Sequence, residues 1–116
     1  MSQREKNLQQ KVMDITESQS EISTITAGQL EIDLIGYQAR FKRTNLELST
    51  SQLEVLAILI ASRRICSRTE LSESLGLYGA RTIDMILSKL RQQVDRDFIR
   101  NVHSLGWIVD TSMLKD

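Results

Sequence analysis

The chain has 116 residues, enough for one domain with one core, and its 41% hydrophobic and 26% charged residues are the balance of a globular protein. Fifteen Lys and Arg against fifteen Asp and Glu give zero net charge, so the field of the whole molecule makes no case for a polyanionic partner, and any such case rests on local arrangement. One cysteine, Cys66, excludes an internal disulfide and fits a reducing cytoplasm, and with only one histidine in the chain, His103, a zinc centre is not expected.

The start of the chain, MSQREKNLQQ, lacks the apolar centre of a signal peptide. The longest strongly apolar run, Val55 to Ala61, is too short to span a bilayer, so no membrane partner is expected. Residues 1–21 are polar, with scattered apolar residues at Leu8, Val12, Met13 and Ile15. They read as a linker or flexible lead, with a short amphipathic helix as the alternative and too little apolar surface for a core of their own. Residues 22–116 form the domain proper.

From Ile22 the pattern is that of strands. ISTIT alternates, Gly28 turns the chain, and QLEID puts Leu30 and Ile32 on one face. A turn at Ile35-Gly36 follows, then QARFK with Ala39 and Phe41 on one side, a turn at Thr44-Asn45, and LEL. This is a meander of four short antiparallel strands.

Helices begin at Ser49. Ser49 with Gln52 makes a capping box, and Leu53, Leu56 and Ile60 form the inward stripe, backed by Val55, Ala57 and Leu59. The helix ends near Ser62, before the cations Arg63 and Arg64. Ser67 with Glu70 is a second box, opening a short helix with Leu71 and Leu75 inward. Gly76 and Gly79 bracket the turn to a third helix, about 80–94.

That third helix is the most informative element. Ile83, Leu87, Leu90 and Val94 form one narrow apolar stripe. At about 100° per residue, Arg81, Met85, Ser88 and Gln92 lie opposite, with Lys89 beside them and Arg91 nearer the side. One acid, Asp84, flanks this face, where its carboxylate suits the positive end of the helix. Cations able to meet phosphate or guanine, with polar and apolar side chains able to meet base edges and thymine methyls, are what a helix in a DNA major groove needs. The charge bias is mild: Arg81 to Arg100 holds five cations and three acids. Phe98 to Val102 reads as a strand, His103 to Gly106 as a hairpin tip, and Trp107 to Val109 as the returning strand. Helix, short helix, turn, helix and hairpin is the order of a winged helix-turn-helix, here an α+β fold with a four-stranded sheet in front.

In this order the motifs resemble the C-terminal effector domain of OmpR/PhoB-type response regulators over about residues 25–110. Leu48-Ser49 with Gln52 to Leu56 stands where the family has "LT..EF.LL", and Ser67 to Leu71 is similar to its "SRE.L". Arg81-Thr82-Ile83-Asp84 with Ser88-Lys89-Leu90-Arg91 resembles "RTVD...SRLR", and Ile99 to Val102 with Gly106-Trp107 resembles "I.TVRG.GY". The resemblance implies a transcription regulator that binds double-stranded DNA at tandem half-sites, usually as a homodimer, with possible RNA polymerase contact and a receiver domain preceding residues 1–21. By motif it places DNA contacts on Arg81, Met85, Ser88, Lys89 and Arg91, and on Asn101 and His103 at the wing of about 99–110. Gln92 joins them by its place on the helix face. Three departures point to a divergent, atypical member. The wing arginine and glycine are His103 and Ser104, the inner-helix histidine is Ile86, and the turn before the recognition helix is about four residues shorter than the family's.

Blander readings stand beside these. Lys89 and Arg91 also read as solvated charges, Met85 as a core residue, and His103 as an exposed tip without a role. Trp107 reads as core under the wing, and Cys66 as a small buried hydrophobe. No enzyme and no cofactor are expected, for there is no Gly-rich phosphate loop, no paired His or Cys, and no Ser placed near a base. The alternative function is a winged-helix protein–protein interaction module, which the zero net charge favours.

Overall fold

The computed structural model describes residues 3–76, 80–94 and 98–109. Within them the elements run α1 (Gln3–Thr16), β1 (Thr24–Ala27), β2 (Leu30–Asp33), β3 (Gln38–Phe41), β4 (Thr44–Leu46), α2 (Thr50–Ser62), α3 (Arg68–Leu75), α4 (Ala80–Gln93), β5 (Ile99–Val102) and β6 (Gly106–Val109). The turn expected between Gly76 and Gly79 falls mostly on residues 77–79, outside the described residues.

The polar lead takes its amphipathic alternative and is docked rather than free. Leu8 and Val12, one turn apart, are fully buried in the common core against α2. Gln9 Nε2 donates to the Ile22 carbonyl at 2.7 Å and fixes the chain's return to β1. Two apolar side chains suffice because α2 offers a ready apolar surface; α1 needs no core of its own.

The sheet has the order β1-β2-β3-β4, all antiparallel. Ile25, Ile32, Ala39 and Leu46 face one another in one row across the four strands, on the core side. Thr26, Glu31, Arg40 and Asn45 form the neighbouring row on the exposed side. This is the alternation expected of a sheet with one wet face. The last turn differs from the sequence reading. It lies at Lys42-Arg43, both left-handed (φ 53° and 69°), and Thr44 and Asn45 already belong to β4. β2 starts at Leu30, whose partner Phe41 is also the last residue of β3 and pairs with Thr44 of β4. The chain turns there, and the Lys42 amide closes on the Gln29 carbonyl at 3.1 Å.

α2 starts as expected: the Ser49 side chain accepts from the Gln52 amide, and the Gln52 side chain accepts from the Ser49 amide. It ends at Arg63, in a left-handed cap. Its burial exceeds a stripe: Gln52 to Ile60 are all buried. The cause is its place, since α1, β1, α3, α4 and β6 all pack on it. Glu54 is buried with the rest, 5% exposed, and accepts a hydrogen bond from the Tyr37 hydroxyl at 2.9 Å.

Candidate nucleic-acid interface

α3 carries the second capping box as read from the sequence. The Ser67 side chain accepts from the Glu70 amide, the Glu70 side chain accepts from the Ser67 amide, and Gly76 closes the helix at φ 66°. Arg64 does not cap α2; its Nη2 donates to Glu70 Oε2 at 2.6 Å. That hydrogen bond, with the Ser67 amide, holds the Glu70 carboxyl down at about 2 from an ordinary 4.5, and it pushes Arg64 up. Leu71 is buried and Leu75 half-buried, as their spacing requires.

α4 spans the expected residues and sorts its faces as expected. Ile83, Leu87 and Leu90 are fully buried, and Val94 is half-buried at the end of the stripe. Arg81, Met85, Ser88, Lys89 and Gln92 are all exposed, with Met85 at 57% in their midst. Of the two readings of Met85, core is the one excluded. Arg91 is half-buried and lies on the flank, and Gln93 Nε2 anchors the helix to the Glu47 carbonyl at 3.0 Å.

Asp84 behaves differently from its sequence reading. It lies beyond the first turn of α4, where the amide ends no longer gather. Its Oδ1 is instead 3.1 Å from Arg68 Nε on α3 and accepts from the Trp107 indole Nε1 at 3.4 Å. Sequence reasoning missed Arg68 as a member of this site. The only available signal was its position at the start of a helix next to the expected wing.

The wing is a hairpin in which Val102 pairs with Gly106 across the tip His103-Ser104-Leu105. The Leu105 amide donates to the Val102 carbonyl at 2.9 Å, which puts Ser104 into the left-handed region at φ 66°. Trp107 is buried, and its backbone exchanges two 2.8 Å hydrogen bonds with Cys66. Cys66 is buried as well. This tie fixes Gly106, where a Cβ would stand 2.1 Å from the Cys66 carbonyl oxygen. Asn101, opposite Trp107, and His103 at the tip are both exposed. They line an open cleft of about 350 Å³ whose walls are residues 67–69 and 101–106. The expected contacts therefore form two groups: six on α4, of which five are exposed on one face and Arg91 is half-buried on the flank, and two at the wing facing the start of α3. Leu105, 59% exposed at the tip, is a further surface apolar residue that the sequence reading passed over.

A four-stranded antiparallel sheet, a helix-turn-helix with an exposed polar helix face and a terminal β-hairpin together define a winged-helix effector fold. It is the fold of the DNA-binding domains of OmpR/PhoB-type response regulators. The structure is similar to the DNA-binding domain of RstA from Klebsiella pneumoniae, solved in complex with the RstA box (TM-score 0.69, 27% identity, 78% of this chain and 99% of that one). It is also similar to the DNA-binding domain of CpxR from E. coli (TM-score 0.66, 24% identity, 74% of this chain and 94% of that one). The response regulator DrrB from Thermotoga maritima, an OmpR/PhoB homolog, matches with a TM-score of 0.69 at 19% identity over 86% of this chain. The chain spans about half the length of DrrB, 49%. No family model matches the sequence, and no curated protein matches it. Among the described residues no helix is long and apolar enough to cross a membrane.

Proposed function

We propose that this chain binds duplex DNA by sequence and regulates transcription, with α4 in the major groove and the β5–β6 wing at the adjacent minor groove. The observation that carries the reading is the outer face of α4. Arg81, Ser88, Lys89 and Gln92 surround an exposed Met85, while the one flanking acid, Asp84, is paired with Arg68. Cations there reach phosphate or guanine, the polar side chains reach base edges, and Met85 meets a thymine methyl. Arg91, half-buried on the flank, suits a phosphate, and Asn101 and His103 follow the backbone into the minor groove. The likeness to a domain solved on its own DNA box supports this reading. Binding as a homodimer on repeated half-sites, contact with RNA polymerase, a cytoplasmic setting, and residues 1–21 as the connection from a preceding receiver domain belong to the same proposal.

The second reading, a protein-interaction module, is favoured by the zero net charge and by exposed Met85 and Leu105. Selection from random duplexes, followed by titration of the recovered site at several salt concentrations, separates the two. DNA binding should weaken with salt at a log–log slope of about 0.9 per phosphate neutralised. Recovery of no consensus, with salt-independent capture of a protein instead, would sink the DNA reading.

A further inference from the structure

The duplex-binding reading of α4 and the wing leaves one residue unaccounted for. Asp84 is an acid flanking a face that otherwise suits phosphate, and alone it would repel the backbone. Its Oδ1 takes two donors from two other elements: Arg68 Nε at 3.1 Å from the first residue of α3, and Trp107 Nε1 at 3.4 Å from β6. Trp107 is itself held from behind by its backbone pairing with Cys66, and Arg68 also lines the cleft opposite the wing tip. A two-stranded hairpin is marginal on its own and needs such an anchor to keep one orientation.

We propose that Asp84 is a positioning residue for DNA recognition: it locks the wing and α3 to the recognition helix, so that wing tip and helix meet one duplex at a fixed spacing. The proposal rests on the duplex-binding reading above. The indole bond is long and the Arg68 pair half-exposed, so the coupling is moderate. Loss of the shared acceptor should cost about three- to tenfold in affinity.

The test uses the full chain and the duplex recovered by selection, in two forms: with the wing-side flank intact and with that flank cut back. The parent should bind the intact duplex more tightly. Asp84→Ala should weaken binding to the intact duplex by about three- to tenfold and lose little more on the shortened one. Trp107→Phe removes the donor without changing charge and should shift binding the same way by less. The double variant should bind no more weakly than Asp84→Ala, because both changes break one link. Three results would overturn the proposal. Asp84→Ala could bind both duplexes more tightly by the same factor, which is charge repulsion alone. It could weaken both equally with a lowered melt, which is a merely structural role. The parent could be indifferent to the flank. A parent that binds no duplex at all overturns the duplex reading itself, a separate outcome.

Discussion

α2 and α4 are nearly equal in length, 13 and 14 residues, yet α2 is buried from Gln52 to Ile60, whereas α4 buries one stripe and leaves Arg81, Met85, Ser88, Lys89, Gln92 and Gln93 exposed. The difference lies in position more than in propensity. α2 touches α1, β1, α3, α4 and β6, so even its glutamate is enclosed. α4 is covered on one side by α2, α3 and β5, and its other side is left wet. A helix packed all round can only hold the fold, and substitution there acts through stability. A helix packed on one side separates stability from recognition, one face for each.

The largest expected effects probe the buried halves of both helices. Leu56→Ala on α2 and Leu87→Ala on α4 should each cost about 2–5 kcal/mol of folding stability, since both side chains are fully enclosed. Denaturant titration measures this. If Leu87→Ala melted like the parent and lost DNA binding, the two faces of α4 would have been assigned the wrong way round.

The outer face of α4 should respond in the opposite way. Lys89→Ala should leave the denaturation midpoint within about 0.5 kcal/mol of the parent, because the side chain is exposed. Binding to the selected duplex should fall by about 1–3 kcal/mol if Lys89 meets a guanine. If it meets phosphate only, the loss should be equal for all sequences and the salt slope should drop by about one unit. Unchanged binding to specific and random duplexes alike would remove this face from the interface.

A smaller effect is expected where α2 encloses polarity. Tyr37→Phe removes the donor to Glu54 and should cost about 1 kcal/mol of stability. No loss, measured by denaturant titration, would show that the hydroxyl contributes nothing net to the buried carboxylate.

The smallest effect concerns the acid that caps α3. Glu70 has its carboxyl held at about 2, chiefly by the Arg64 hydrogen bond, against an ordinary 4.5. A depressed folded value means that its contribution is complete above about pH 4.5 and fades as pH falls toward 2. The pair is half-exposed, so screening keeps the contribution small. Glu70→Gln keeps a side chain that can cap but does not titrate. Between pH 4.5 and 2 its melting temperature should therefore fall less steeply than the parent's. Parallel curves would mean that Arg64 adds nothing.

Much of this is legible in the sequence alone. Both capping boxes, the three-helix order, the inward stripe of α4, the burial of Cys66 and Trp107 and the exposure of Met85 follow from local chemistry. A Ser with Gln or Glu three residues on satisfies orphan amides wherever it stands, and a 3.6-residue period determines which side chains share a face. Contacts between distant elements lie beyond such reasoning, because nothing in a local pattern says what will face it. Tertiary packing decided that α1 docks through Leu8 and Val12, that Glu54 is enclosed, and that the β3–β4 turn falls at Lys42-Arg43, just past the last β2–β3 pair. It also decided that Asp84 answers to Arg68 and Trp107, 16 and 23 residues away, because the fold folds α3 and the wing back onto one oxygen of α4.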